Sequence, residues 1–338
     1  MSNKPLLGSE KILLKDHLPL AMPVSIMIDP SNLCNFRCNF CPTSDSELLK
    51  KFSRPKGMME LSLFEKIIDD IDELKKKTKI NPKSLLLYKD GEPLLNKNID
   101  KMISYAKQKN IVKYIGVTTN GSLLNEEMTN KLLKSNLDTL RVSIQSLTQT
   151  NFQKITKTKF DTKKIKDNIS FFYTQKKKLK KKTELIISYI DCENFDEIVK
   201  KKFIEEYSII SDRVDIKPIN GWTRSDENDW RMGNSRAEFR EPVVCADPFS
   251  RLSVNFDGSV SICCVDWSHG TVVGNLKTES LDNIWNGEKL REFRILHLKG
   301  QRSKIGPCSN CDYIKDKDKY DLIDDKADEL LKFFEKRV

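Results

Sequence analysis

The sequence predicts an α/β protein: a parallel sheet with helical crossovers, followed by a small second domain built from a hairpin and a helix. Three observations lead there. Short apolar runs alternate with longer amphipathic stretches from residue 24 to 218, the pattern of a βα-repeat. The alternation stops at Pro218. Two further alternating runs then flank Asp257-Gly258, a hairpin signal.

The strands are read at Val24–Asp29, Ser84–Tyr88, Tyr114–Thr118, Thr139–Ile144, Glu184–Ile190 and Arg213–Pro218. Helical spacing of apolar residues marks Ser62–Lys77, Asn98–Lys109, Asn125–Ser135, Thr162–Lys177 and Glu193–Ile210 between them. Alternation of this kind favours parallel strands with right-handed crossovers, and such sheets bind ligands at the carboxyl ends of their strands. Residues 1–23 form an extension, 24–218 the core, and 219–244 a polar, irregular linker or lid. Residues 245–312 form the small second domain, with a helix near Leu281–Leu298, and 313–338 a charged, amphipathic helix on the surface.

Composition narrows the function. The chain has 338 residues, and 38% apolar content fills a core for about two domains. The formal charge is 59 − 49 = +10, yet basic runs such as Lys176–Lys182 lack interleaved aromatics for stacking on bases. They read as a solvated helix face, with no nucleic-acid partner. The N-terminus is broken by charges and prolines and resembles no signal peptide. No apolar run is long enough to span a membrane. A cytoplasmic location follows, and there clustered cysteines are more often metal ligands than disulfides.

Nine cysteines are present, and Cys34, Cys38 and Cys41 fall within "CNFRCNFC" as C-x3-C-x2-C. Three thiolates on one loop can hold three irons of a [4Fe–4S] cubane and leave the fourth iron open. Zinc is the competing reading, but structural zinc closes four ligands, and the nearest histidine, His17, lies seventeen residues before Cys34. The loop also follows the first strand, at the mouth of the sheet.

This loop resembles the signature of the radical S-adenosylmethionine (SAM) superfamily. The resemblance implies a partial (β/α)6 TIM-like barrel in which the open iron is chelated by SAM. Further segments agree: "KDGEPLL" (Lys89–Leu95) resembles the family's Gly-Glu-Pro segment, with Asp90 where a glycine is usual, and "TTNGSLL" and "RVSIQS" end the third and fourth strands. By resemblance, Gly91, Glu92 and Pro93 contact the methionine amino group, Asn120, Ser143 and Gln145 line the ribose and carboxylate, and Phe40 lies by the adenine. The cofactor would yield a 5′-deoxyadenosyl radical that takes hydrogen from substrate, and the cluster would need a flavodoxin- or ferredoxin-type electron donor.

A second set, Cys245, Cys263, Cys308 and Cys311, ends in C-x2-C. Four cysteines can close a second [4Fe–4S] cluster, with a four-cysteine zinc as the competing reading. The segment from the hairpin to "CSNC" is similar to the Twitch domain, a single-cluster relative of SPASM domains. Twitch enzymes of the aminocyclitol (2-deoxy-scyllo-inosamine) dehydrogenase group oxidise secondary alcohols, and the resemblance implies a sugar- or cyclitol-like substrate with the auxiliary cluster as electron acceptor. Candidate substrate or proton-transfer groups are Asp266 and, in the linker, Arg224 with Trp222, Asp226, Asp229, Trp230 and Arg231. If the protein is instead an epimerase, Cys264 is the hydrogen donor. The same two cysteine sets would also serve a maturase of ribosomal peptides or a non-catalytic two-cluster electron carrier. Cys192, His269 and His297 read as structural.

Overall fold

Each expected strand forms, and alternation along it decides which side chain meets the core. They are β1 (Ser25–Ile28), β2 (Ser84–Leu87), β3 (Tyr114–Thr119), β4 (Thr139–Ile144), β5 (Glu184–Asp191) and β6 (Arg213–Pro218). The computed structural model describes residues 13–191, 197–218, 242–316 and 319–336. All six strands run parallel in order β6-β5-β4-β3-β2-β1, as a partial α/β barrel. Ile26, Ile28, Leu85, Leu87, Val117, Leu140 and Val142 are fully buried in a core shared with the helices. The opposite face is polar. Ser25 and Ser84 share a hydroxyl hydrogen bond of 2.7 Å, and the Arg141 guanidinium donates to Ser188 at 2.5 Å and to Asp215 at 2.7 Å.

The crossovers are α1 (Ser46–Lys51), α2 (Leu61–Thr78), α3 (Ile99–Lys109), α4 (Glu126–Lys134), α5 (Gln149–Thr156), α6 (Thr162–Lys178) and α7 (Glu197–Ser208). Apolar spacing predicts five of these within a few residues and misses α1 and α5, which are too short to show a helical period. Both begin at a side-chain cap: the Asp45 carboxylate accepts from the Glu47 and Leu48 N–H groups, and Thr148 accepts from the Asn151 N–H.

The C-terminal segment extends the same sheet. Its β7 (Arg251–Val254) follows the short α8 (Asp247–Ser250) and pairs parallel with β1, from Ser25↔Arg251 to Ile28↔Val254. Then β8 (Ser259–Ser261) and β9 (Val272–Asn275) add antiparallel. The hairpin turn sits at Asp257-Gly258 as expected, with Gly258 at φ +85°, a conformation that glycine adopts without cost.

Two expectations need correcting. The helix read at Leu281–Leu298 is two, α9 (Leu281–Trp285) and α10 (Glu288–Leu298). At Gly287 between them, a Cβ would lie 2.5 Å from the Asn283 carbonyl oxygen. The tail is helical only in part. After α11 (Gly306–Ser309) the chain runs through 3-10 turns to α12 (Ala327–Glu335), which buries Leu330 and Phe334 against Leu14, Phe249 and Leu298.

Candidate functional site

The cysteine loop leaves β1 and is pinned on two sides. The Arg37 and Asn39 N–H groups donate to the carbonyls of Thr156 and Ile155 on α5, at 2.9 and 2.8 Å. The aromatic Phe36 packs edge-on against Phe152 of the same helix. Within the loop, the Ser44 hydroxyl reaches the carbonyls of Cys38 and Cys41 at 2.8 and 2.7 Å. Cys34 is exposed, while Cys38, Cys41 and Phe40 are half-buried. Burial raises the thiol of Cys41, which contacts the Thr43 hydroxyl at 3.0 Å.

The Gly-Glu-Pro turn after β2 lies against this loop. A Cβ on Gly91 would stand 2.2 Å from the Ser31 carbonyl oxygen and 2.4 Å from that of Leu33, so the approach admits only glycine. The Glu92 N–H donates to the Leu33 carbonyl at 2.8 Å. Its carboxylate is buried and turned inward, accepting from the Leu94 N–H, the Thr119 hydroxyl and the Asn120 N–H at 3.0, 2.6 and 2.7 Å. Burial raises that carboxyl to about 7 against the pull of these hydrogen bonds. Pro93 opens a 3-10 turn. At the end of β3, the Asn120 amide donates to Asn35 at 2.8 Å and lies 4.0 Å from the Cys34 sulfur. At the end of β4, Ser143 is half-buried, and Gln145 is buried with an Oε1 that no described residue satisfies.

The second cysteine set also comes together. Cys245, Cys263, Cys308 and Cys311 line one small cavity with Ile262 and His297. Arg302 donates to the carbonyls of Cys308 and Cys311, both at 3.1 Å, and so closes the C-x2-C turn. Burial raises the Cys311 thiol to about 11 and that of Cys308 further. Sequence reasoning did not place His297 here. It is buried, burial lowers its imidazole to about 4, and neither ring nitrogen has a partner among the described residues.

The family profile described as the radical SAM superfamily matches residues 28–200, more than half of the chain. The chain belongs to the radical SAM superfamily. A second profile, described as the SPASM iron-sulfur cluster-binding domain, matches residues 245–312. The S-adenosyl-L-methionine-dependent 2-deoxy-scyllo-inosamine dehydrogenase of Niallia circulans is 22% identical over 301 residues, covering 88% of this chain and 97% of that protein. A crystal structure of BtrN in complex with AdoMet and 2-DOIA aligns with a TM-score of 0.55 at 19% identity, over 89% of this chain and 98% of that one. Native anSMEcpe with bound AdoMet aligns with a TM-score of 0.60 at 15% identity, over 92% and 96% of the two chains.

The residues of this radical SAM protein fit the groups its family implies. The cysteine loop offers three thiols, the missing Cβ of Gly91 leaves the turn flush against that loop, and Gln145 holds an unmet acceptor at a strand end. These residues would hold a cluster and SAM. The four-cysteine cavity fits an iron-sulfur cluster in its donor set.

Other assignments change. The Asp266 carboxylate, expected to be a base or substrate ligand, is fully buried and closes its own turn. It accepts from the Ser268 hydroxyl, the Gly270 N–H, and the N–H and hydroxyl of Thr271, at 2.8, 3.2, 2.8 and 2.7 Å. No lone pair is left for substrate. Cys264 is half-buried, 3.9 Å from the Tyr313 hydroxyl, and lines a cavity with Ser25, Met27, Leu86 and Arg251 on the polar face of the sheet. Its sulfur, that of Cys263 and an Asp247 carboxylate oxygen all lie within 4.8 Å of one another. Arg224, with Trp222, Asp226, Asp229, Trp230 and Arg231, lies outside the described residues, as does Cys192.

The main surprise is Asp90. Its carboxylate joins Arg54 at 2.7 Å, Lys89 at 2.7 Å and His269 at 3.2 Å, with Arg54, Lys89 and Asp90 wholly shielded from water. The Lys89 ammonium also donates to the Asp266 carbonyl at 3.1 Å. This hub ties the turn before Gly91 to both the loop after α1 and the C-terminal segment. Opposite charges hold the Asp90 carboxyl well below its usual range despite burial. Neighbouring Asp29 goes the other way, up to about 7, through burial and then the Asp90 charge. Nothing in the sequence signals Arg54 or His269 as partners, because both are remote in the chain.

Proposed function

We propose that this protein is a radical SAM dehydrogenase that oxidises a secondary alcohol of a sugar- or cyclitol-like substrate to a ketone, with an auxiliary [4Fe–4S] cluster as electron acceptor. The observation that carries this reading is the second cavity. Four cysteine side chains line it, and Cys263 borders both it and the cavity on the polar face of the sheet. When bound, SAM and its cluster supply the radical chemistry that removes a hydrogen atom from carbon. The chain supplies geometry. Cys34, Cys38 and Cys41 would hold the first cluster, and Cys245, Cys263, Cys308 and Cys311 the second. The backbone of the Gly91–Pro93 turn, Asn120, Ser143, Gln145 and Phe40 would orient SAM. The polar face, with Arg141 and Ser188, offers hydrogen bonds to a polyol, and the surrounding walls hold its carbon in place.

The similarity to a dehydrogenase along 97% of that protein's length supports this choice over a peptide maturase or an electron carrier. An external reductant of flavodoxin or ferredoxin type fits the chemistry. Among the described residues no helix is long and apolar enough to cross a membrane. The position of Cys264 on the same cavity favours one second reading, an epimerase in which its thiol returns a hydrogen atom.

The test is anaerobic reconstitution followed by turnover on a panel of sugars and cyclitols. About eight irons per chain are expected, falling to about four when Cys34, Cys38 and Cys41 are replaced by alanine, with ketone formed only by the intact protein. Zinc in place of half the iron overturns the auxiliary-cluster assignment. Deuterium from solvent at a substrate carbon, without ketone, selects the epimerase.

A further inference from the structure

Lys217 lies near the carboxyl end of β6, and alternation puts it on the polar face with Arg213 and Asp215. Its rung is fixed by pairing with Ile190, whereas the β4–β5 ladder ends at Ile144↔Tyr189. Gln145, the residue that follows β4, therefore stands at the same level, two strands away, or about 10 Å. The lysine is at the mouth of the sheet, on the side facing the SAM-orienting strand ends.

On this face Arg141 takes Asp215 at 2.7 Å, and Arg213 reaches both Glu184 and Asp215 at 3.4 Å. Lys217 is half-buried and makes no ion pair or hydrogen bond with a described residue. Burial, and then the Arg141 charge, lower its ammonium to about 8. A half-buried ammonium that makes no close ion pair gains from an incoming anion.

We propose that Lys217, with Arg141 behind it, anchors an anionic group of the substrate, a carboxylate or a phosphate. The inference rests on the sugar-like substrate of the preceding section and narrows it to acidic sugars and sugar phosphates. An aminocyclitol ammonium would meet a cation here.

The test measures binding, apart from turnover. Full-length, anaerobically reconstituted protein loaded with SAM is titrated calorimetrically with glucuronate, glucose 1-phosphate, glucose and glucosamine. One of the two anionic sugars should bind roughly ten- to a hundredfold more tightly than glucose, as a charge-assisted hydrogen bond gives, and glucosamine more weakly. Which anion wins separates carboxylate from phosphate. Lys217→Gln should abolish the preference, Lys217→Arg should retain it, and both should bind SAM as the parent does. Equal affinity for charged and neutral sugars overturns the proposal, and so does a preference that survives Lys217→Gln. A Lys217-dependent anion preference without ketone formation leaves the anchor standing and overturns the dehydrogenase reading instead.

Discussion

Replacing Asp90 with asparagine tests whether the buried hub holds the Gly-Glu-Pro turn in place. The substitution leaves the shape almost unchanged but removes the charge that Arg54 and Lys89 share at 2.7 Å each, with all three side chains shielded from bulk solvent. Breaking a buried pair by removing one partner costs about 3–5 kcal/mol, because the other charge is left uncompensated. Two cations would be stranded, which favours the upper end. Asp29 offsets part of it. Its carboxyl sits near 7 partly because Asp90 is charged, so neutralising Asp90 lets Asp29 ionise and answer one cation. The expected net loss is about 3 kcal/mol. Urea denaturation of the anaerobic holoprotein at neutral pH reads it directly. The double variant Asp29→Asn/Asp90→Asn should then lose at least about 1 kcal/mol more than the two single losses added together. A single-variant loss below about 1 kcal/mol, or strict additivity in the double variant, refutes the idea that these groups form one coupled, solvent-shielded unit.

Three further outcomes follow from the same geometry, and a fourth from the cavity beside Cys264. Gly91→Ala puts a methyl 2.2 Å from the Ser31 carbonyl, so the cysteine loop must move; iron analysis should show the first cluster lost and the second retained. Asp29, raised from 3.8 to about 7, keeps its proton in the folded protein at pH values where the unfolded chain has released it. Its contribution therefore falls as pH rises from about 4 to 7, by up to about 1.4 kcal/mol per unit. Denaturation of Asp29→Asn across that range should give a flatter profile than the parent, and parallel profiles contradict the assignment. Asp266→Asn sets an amide against donors of the 266–271 turn, so it should cost roughly 1–3 kcal/mol of stability without moving the pH dependence of turnover. Cys264→Ala should keep ketone formation, and its abolition after hydrogen abstraction would turn the assignment to the epimerase.

Much of the fold was legible because long amphipathic periods and strand alternation record burial directly: Thr139–Ile144 and Arg213–Pro218 form as read. Short elements were not, since α5 has only two turns, and its role lies in carbonyls that tether the cysteine loop. The first cysteine set stands out by its C-x3-C-x2-C spacing, and the second by its final C-x2-C together with the resemblance to Twitch domains. Side-chain direction was not legible. Asp266 looked available beside Cys264, yet four local donors consume it. Asp90 looked like a small departure from a glycine, yet Arg54 and His269, distant in sequence, make its carboxylate the centre of an ion network. Hubs of this kind are tertiary facts, with no local period to announce them.

The pairing of β7 with β1 has a consequence for how the protein can be cut or rearranged. The strand that launches the cysteine loop is flanked on both sides, by β2 and by β7. A version ending before β7 would turn β1 into an open edge, with four residues' worth of backbone donors and acceptors seeking another chain. The C-terminal segment is thus a seam of the barrel rather than an appendage, and the spacing between the two cysteine sets is measured out by a hydrogen-bond ladder instead of a hinge.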